Sequence, residues 1–125
     1  MADRADQLPL GARGEAVACR YLEAKGLRVL TRNYRTRSGE VDIVARDGEV
    51  TVFVEVKERQ DAEHGEGYEA VTIGKRRRVI RAAQSYAATH GLWEARLRFD
   101  VVSIDWSAGA PSLRHDEGAF DSQGR

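Results

Sequence analysis

Residues 40–57 read EVDIVARDGEVTVFVEVK and place acids inside two stretches that are rich in Val and Ile. Apolar residues alternate on both sides of Asp47-Gly48, a pattern typical of two strands joined by a tight hairpin turn. We therefore predict strands over 40–46 and 50–58. Asp42 and Glu55 each stand between two aliphatic residues of these strands, where a charge is costly to bury.

The turn sets the register of the hairpin and so decides which acids meet. With Asp47-Gly48 as a two-residue loop, Glu40 lies opposite Glu55, and Asp42 lies opposite Phe53. Diagonal neighbours on one sheet face are about 7 Å apart at Cβ, which lets Asp42 and Glu55 share one ion. A three-residue loop would change the parity and scatter the acids.

Side chains of a strand alternate between the two faces of the sheet, which separates charged from aliphatic positions here. The predicted polar face carries Glu40, Asp42, Glu55 and Lys57. The opposite face is predicted to be core and carries Val41, Ile43, Val52, Val54 and Val56.

A helix over residues 10–25, ended by Gly26, adds a further carboxylate. On a helical wheel Glu15 falls within the apolar stripe, so it is predicted to point inward. Buried carboxylates that lie together repel unless a cation sits among them, and Mg²⁺ prefers such hard oxygen ligands. Lys57 can position or deprotonate a water molecule, so the residues indicate metal-assisted phosphodiester hydrolysis. The competing interpretation is an edge hairpin with one solvated face, against which Phe53 on that face argues.

The remaining elements complete one α/β domain over residues 1–125, with a core of about 8–105. We predict a strand near 27–33, a helix over 72–90 between a Thr72 cap and Gly91, and a strand over 96–105. Residues 106–125 are expected to form a partly mobile tail with one short strand near Ser112–His115. The order is αβββαβ(β), a central mixed sheet flanked by helices.

Composition narrows the class of protein. The chain has 42% hydrophobic and 32% charged residues, as globular proteins do. No apolar signal segment or membrane span is expected, and the single Cys19 favours a reducing cytoplasm. Net charge is zero, but residues 28–37 carry four Arg and residues 75–81 carry five cations, with no acid in either stretch. Such basic stripes suit a phosphate backbone.

The run GEVD…VFVEVKER, with Glu55-Val56-Lys57 thirteen residues after Asp42, resembles the PD-(D/E)xK nuclease superfamily. With Gly14-Glu15, RNYRTRSGEVDIVA, GYEAVTIGK and RFDVV, the chain is similar to the YraN family of predicted endonucleases, which resemble archaeal Holliday junction resolvases. The similarity covers roughly residues 8–105, with a weaker match at RHDEGAF.

The resemblance implies a restriction-endonuclease-like fold that binds Mg²⁺ or Mn²⁺. Glu15, Asp42 and Glu55 would be metal ligands and Lys57 the catalytic lysine, while Val41 stands where the superfamily name has Pro. The implied activity is structure-selective cleavage of branched DNA in recombination or repair, by a homodimer. Two other classes stay open: a non-catalytic nucleic-acid-binding module that works with a partner enzyme, and a small protein-interaction domain.

Residues around the acids have two interpretations each. Glu40 either contacts the metal through water or neutralises Arg35 or Arg37. The second helix is predicted to keep Arg77, Arg78 and Arg81 on a solvated outer face. The nucleic-acid-binding candidates are Arg32, Arg35, Arg37, Lys75 and Arg76.

Other motifs are expected to be structural or uninformative. Asp100 is expected to form a structural salt bridge, with Arg98 or a lysine. The three histidines share no metal-ligand spacing, and GEG at 65–67 is expected to be a flexible loop rather than a phosphate-binding motif.

Overall fold

The computed structural model describes residues 10–59, 71–92 and 95–125, with side chains of the first helix from residue 13 onward. These residues form two helices and five strands, close to the predicted boundaries. In chain order the elements are α1 (Leu10–Ala24), β1 (Arg28–Arg35), β2 (Glu40–Asp47), β3 (Val50–Arg59), α2 (Ile73–His90), β4 (Leu97–Asp105) and β5 (Ser112–Phe120).

The strands of the described residues form one mixed, open sheet in the order β1-β2-β3-β4-β5. Neighbouring strands run antiparallel except β3 and β4, which are parallel. A parallel pair needs a crossover connection, and α2 lies in the segment between β3 and β4. The predicted α/β class, a central mixed sheet flanked by helices, is confirmed.

Both helices end where the sequence places their stop signals. Gly26 follows α1 with φ +99°, and the Leu27 N–H donates to the Leu22 carbonyl at 3.0 Å. The Thr72 side chain accepts from the Lys75 N–H at the start of α2, and Gly91 ends that helix with φ +67°. Glycine adopts this left-handed conformation without steric cost. Neither described helix is long and apolar enough to cross a membrane.

The helices cover opposite faces of the sheet and bury one hydrophobic cluster each. The cluster beneath α2 contains Val41, Val44, Phe53, Val71, Val79, Ile80, Ala82, Ala83, Tyr86, Phe99, Val101 and Phe120. The cluster beneath α1 contains Ala18, Cys19, Leu22, Leu27, Ile43, Ala45, Val52, Val54, Val102 and Ile104. The predicted apolar stripes of both helices therefore face the sheet.

The hairpin register differs from the prediction by two positions. Asp47 pairs with Val50, and Val44, rather than Asp42, lies opposite Phe53. The two-residue loop is 48–49 rather than 47–48. Gly48 has φ +60°, which a type II′ turn requires at its first loop position. A shift of two preserves the parity, so Asp42 and Glu55 keep the predicted common face.

The predicted tail contains a full strand, so the core extends beyond residue 105. Strand β5 has nine residues where a short strand near Ser112–His115 was predicted. Phe120 is buried and stacks on Phe99 with ring centroids 5.1 Å apart. The sequence SLRHDEGAF has little apolar alternation and does not by itself predict a strand of this length. The strand is stabilised by its pairing with β4.

Candidate active site

Asp42 and Glu55 meet where the β2–β3 ladder ends. The last paired residues of the ladder are Ile43 and Val54, and the next residue on each strand is one of the two acids. Their carboxyl groups are hydrogen-bonded to each other. The Val56 N–H donates to Asp42 Oδ2 at 2.7 Å and fixes that carboxylate. A hydrogen bond between two carboxyl groups requires a proton, so the pair holds one.

The pKa of Glu55 is raised well above its ordinary value. Burial, the negative charge of Asp42 and the shared hydrogen bond raise the pKa of Glu55 to about 8. Burial also raises the pKa of Asp42, but the hydrogen bonds from Val56 and Glu55 oppose that rise. Two neighbouring carboxyl groups that are partly buried cannot both ionise cheaply.

Glu15 of α1 belongs to the same electrostatic environment. Its side chain is 15% exposed, as the helical wheel predicts. Burial raises the pKa of Glu15, and the charge of Asp42 raises it further. Arg32, a hydrogen bond with Asn33 and Arg35 oppose that rise. Within the described residues Glu15 Oε1 is buried and has no hydrogen-bond partner; Arg32 Nε lies 3.9 Å away, beyond hydrogen-bonding range.

Three charged residues border Glu55 on the side of α2. Glu40, Lys75 and Arg78, with Val79, line a small cavity of about 50 Å³ that includes Glu55. The charge of Lys75 lowers the pKa of both Asp42 and Glu55. Lys75 was predicted to contact phosphate, and the structure places it beside the acid pair.

Glu40 neutralises arginines, one of its two predicted roles. Arg78 donates to Glu40 Oε1 at 2.7 Å, and Arg35 Nε lies 3.6 Å from Glu40 Oε2. Arg78 is exposed, as predicted, but it is also paired with Glu40. A helical wheel describes a helix alone, whereas here Gly39 lies so close to α2 that a Cβ atom would collide with the Arg78 carbonyl. No sequence signal reveals that contact.

Lys57 lies two residues beyond Glu55 on the same strand. It lines a larger cavity of about 530 Å³, together with Val71, Arg76 and Ser103. The lysine whose charge acts on both Asp42 and Glu55 is Lys75. Lys57 therefore follows the acid pair along β3, and Lys75 borders the pair from the start of α2.

The oxygen donors of this site suit a divalent cation. Among the described residues no three His, Cys, Asp or Glu side chains form a group arranged to hold a metal ion. The Glu15 Oε1 atom and the hydrogen-bonded Asp42–Glu55 pair nevertheless offer carboxylate oxygens on neighbouring elements. A cation that displaced the proton would be held by hard oxygens, which Mg²⁺ and Mn²⁺ prefer.

The predicted nucleic-acid-binding residues differ in what they contact. Arg32 lies beside Glu15, and Arg35 beside Glu40. Arg37 and Lys75 are exposed. Arg76 Nε donates to the Val71 carbonyl and its Nη1 to the Gly124 carbonyl, both at 2.9 Å, so Arg76 also fixes the end of the chain. The GEG loop at 65–67 lies outside the described residues.

A second group of buried charges surrounds Asp100, on the α1 side of the sheet. Arg98 donates to both carboxylate oxygens of Asp100, at 2.9 and 3.0 Å, which confirms the predicted structural salt bridge. The Gly118 N–H and His115 Nε2 complete the shell at 3.0 and 2.8 Å. Histidine spacing could not reveal His115, because its partner Asp100 lies on another strand.

Comparison with known proteins identifies the family. The model of the family described as "Uncharacterised protein family UPF0102" matches residues 14–104. A UPF0102 protein of Anaeromyxobacter dehalogenans (strain 2CP-C) is 49% identical over 116 residues, which are 93% of this chain and 87% of the relative. A UPF0102 protein of Geobacter metallireducens is 45% identical over 112 residues, 90% of this chain and 92% of the relative. The chain belongs to the UPF0102 family.

Proposed function

We propose that this protein is a Mg²⁺-dependent, structure-selective DNA endonuclease that hydrolyses phosphodiester bonds. The observation that carries the proposal is the pairing of the Asp42 and Glu55 carboxyl groups at the end of the β2–β3 ladder, close enough to Glu15 for the charge of Asp42 to raise its pKa. An acid with a purely structural role is normally surrounded by cations or N–H donors. Here Asp42 and Glu55 are bonded to each other, and the charge of Asp42 acts on Glu15 of α1.

In this proposal Asp42 and Glu55 hold the cation, and Glu15 is the third carboxylate beside it. A bound Mg²⁺ or Mn²⁺ supplies Lewis acidity toward a phosphoryl oxygen and lowers the pKa of water. Lys57 orients or deprotonates the attacking water, as the PD-(D/E)xK resemblance implies. Lys75 supplies positive charge next to the pair, where the phosphate's negative charge increases during the reaction.

The arginines at the rim would hold the DNA. Arg32 and Arg35 from β1 and Lys75 and Arg78 from α2 border the acids, and lysines and arginines are the groups that contact phosphates. Branched DNA as substrate rests on the similarity to resolvases. Two symmetric cuts need two sites, so the proposal includes a homodimer. The buried, unpaired Cys19 fits a cytoplasmic protein.

A non-catalytic nucleic-acid-binding module that acts with a partner enzyme is the second candidate. The observation that favours it is the absence, among the described side chains, of a preformed group of three metal-binding residues. This candidate requires salt-dependent binding without cleavage, unaffected by Glu55→Gln.

The test is cleavage of a labelled four-way DNA junction in Mg²⁺ or Mn²⁺. Wild type is expected to cut, whereas Asp42→Asn and Glu55→Gln are expected to lose at least 100-fold in rate, an order-of-magnitude figure for loss of a main catalytic group. Glu49→Gln, in the exposed hairpin loop, is the matched control and should cut normally. Cleavage that survives Asp42→Asn refutes the site, and binding without cleavage by wild type favours the second candidate.

A further inference from the structure

The motif RHDEGAF, residues 114–120, has no role in the site described above. It forms most of β5, and successive side chains point to opposite faces of the sheet. His115 contacts Asp100 on the α1 side, whereas Arg114 lies on the other face with its side chain 72% exposed. The buried contact with Asp100 accounts for His115. It does not account for Arg114, which is exposed on the other face.

Arg114 borders the cavity of about 530 Å³ that also contains Lys57. Helix α2 packs mainly on β2 and β3, and the cavity lies beside it over β3, β4 and β5. The described residues that line it and carry polar or charged groups include Lys57, Arg76, Ser103, Arg114, Asp116 and Glu117.

The sheet register aligns three of these residues across the strands. Lys57 pairs with Ser103, and Ser103 pairs with Arg114; we call these three the cross-strand row. Adjacent strands lie about 4.8 Å apart, so the outer two backbones are within about 10 Å. The long side chains of Lys57 and Arg114 can both reach a tetrahedral anion above the Ser103 hydroxyl.

Charge in the cavity favours an anion despite the acids present. Three cations, Lys57, Arg76 and Arg114, oppose Asp116 and Glu117 among the described lining residues. Asp116 Oδ1 accepts from Arg114 Nε at 3.1 Å. That contact uses one edge of the guanidinium and orients its terminal nitrogens, which are the donors that arginine offers to a phosphate.

We infer that the cross-strand row is a binding site for a backbone phosphate of the nucleic-acid strand that passes the acid pair. The inference rests on the proposed function and extends its substrate contacts to β4 and β5. Lys57 is two residues from Glu55, roughly 6.5 Å along the strand. Ser103 and Arg114 therefore hold a phosphate next to the one that reacts, while Lys57, at the end of the row nearer Glu55, keeps its role toward the attacking water.

The test measures binding of a fluorescent four-way junction by anisotropy in EDTA, where no cleavage occurs. Arg114→Ala is expected to weaken binding about tenfold and to reduce the slope of log K against log salt by about one, as loss of one phosphate contact does. Arg114→Lys should restore most of the slope. Arg46→Ala is the matched control, because Arg46 is exposed at the hairpin end of β2.

Each outcome decides the matter. Equal slopes for Arg114→Ala and Arg46→Ala, with wild type binding normally, overturn the inference and leave the proposed nuclease intact. If wild type binds no DNA, both fail. Inorganic phosphate at matched ionic strength should not compete at millimolar concentration. Competition that Arg114→Ala abolishes would indicate a site for free phosphate instead and overturn the assignment to a strand.

Discussion

The sheet carries buried or half-buried acids at two places, and these acids differ in their hydrogen-bond partners. Asp100 is fully buried and accepts hydrogen bonds from Arg98, His115 and the Gly118 N–H. Asp42 and Glu55 are half-buried; among the described residues the Val56 N–H donates to Asp42, and the two carboxyl groups are hydrogen-bonded to each other.

This difference separates a structural acid from a reactive one. A carboxylate that is surrounded by donors needs nothing more, and it holds β4 to β5 and, through the Arg98–Asp47 contact, to the β2–β3 hairpin. Acids that lack donors keep an affinity for whatever positive species can replace the proton. The predictions below test the two sites separately.

The largest effect on stability is expected at Asp100, whose carboxylate is fully hydrogen-bonded. Asp100→Ala leaves Arg98 without its bidentate partner and removes the acceptor of His115 and Gly118, so unfolding free energy should fall by about 3–5 kcal/mol. Urea denaturation followed by circular dichroism measures this. Asp47→Ala removes the other, 41% exposed partner of Arg98 and should cost at most about 1 kcal/mol. Equal losses in the two variants would mean that Asp100 is not the centre of the network.

The next effect concerns the position of α2 over the acid pair. Gly39→Ala places a methyl group against the Arg78 carbonyl and the Ala82 nitrogen, backbone atoms that cannot rotate away. We expect a loss of about 1–3 kcal/mol in the same urea assay. Gly74→Ala, whose Cβ would meet only Thr72 Oγ1 at 4.0 Å, should be neutral or stabilising. An unchanged Gly39→Ala stability would contradict the close approach of the β1–β2 turn to α2.

Folding stability is expected to depend on pH through the Asp42–Glu55 pair. The pKa of Glu55 is raised from 4.5 to about 8, so the folded state holds a proton that the unfolded state has lost. The stability that this proton provides is complete below pH 4.5 and is lost as pH rises through 8. The slope is at most about 1.4 kcal/mol per pH unit.

Glu55→Gln keeps the hydrogen bond and removes the titration. Urea midpoints of metal-free wild type should therefore fall between pH 5 and 8.5, and the variant should show a flatter profile. Parallel profiles would show that Glu55 ionises normally and that the acid pair holds no proton.

The sequence predicts local features of this fold well. Helix ends follow from Gly26, Thr72 and Gly91, because caps and stops act within one turn of the chain. The hairpin register was wrong by two, yet the common face of Asp42 and Glu55 survived, since alternation depends only on parity. The inward orientation of Glu15 followed from its helical position.

Features that depend on distant contacts were missed. Strand β5 was predicted too short because its sequence is polar. In the structure, its pairing with β4 compensates for that polarity. The pairing of the exposed Arg78 with Glu40 was missed because Glu40 lies 38 positions earlier in the chain. The role of His115 required the position of Asp100 on a neighbouring strand. Such pairings are fixed by tertiary packing, which a single sequence does not display.

Calorimetric titration of Mn²⁺ at pH 7, in two buffers with different ionisation enthalpies, tests the central claim most directly. Wild type should bind with release of close to one proton per ion, because the cation displaces the proton of Glu55. Glu55→Gln should bind more weakly and release none. Binding without proton release, or equal proton release by wild type and Glu55→Gln, would contradict the account.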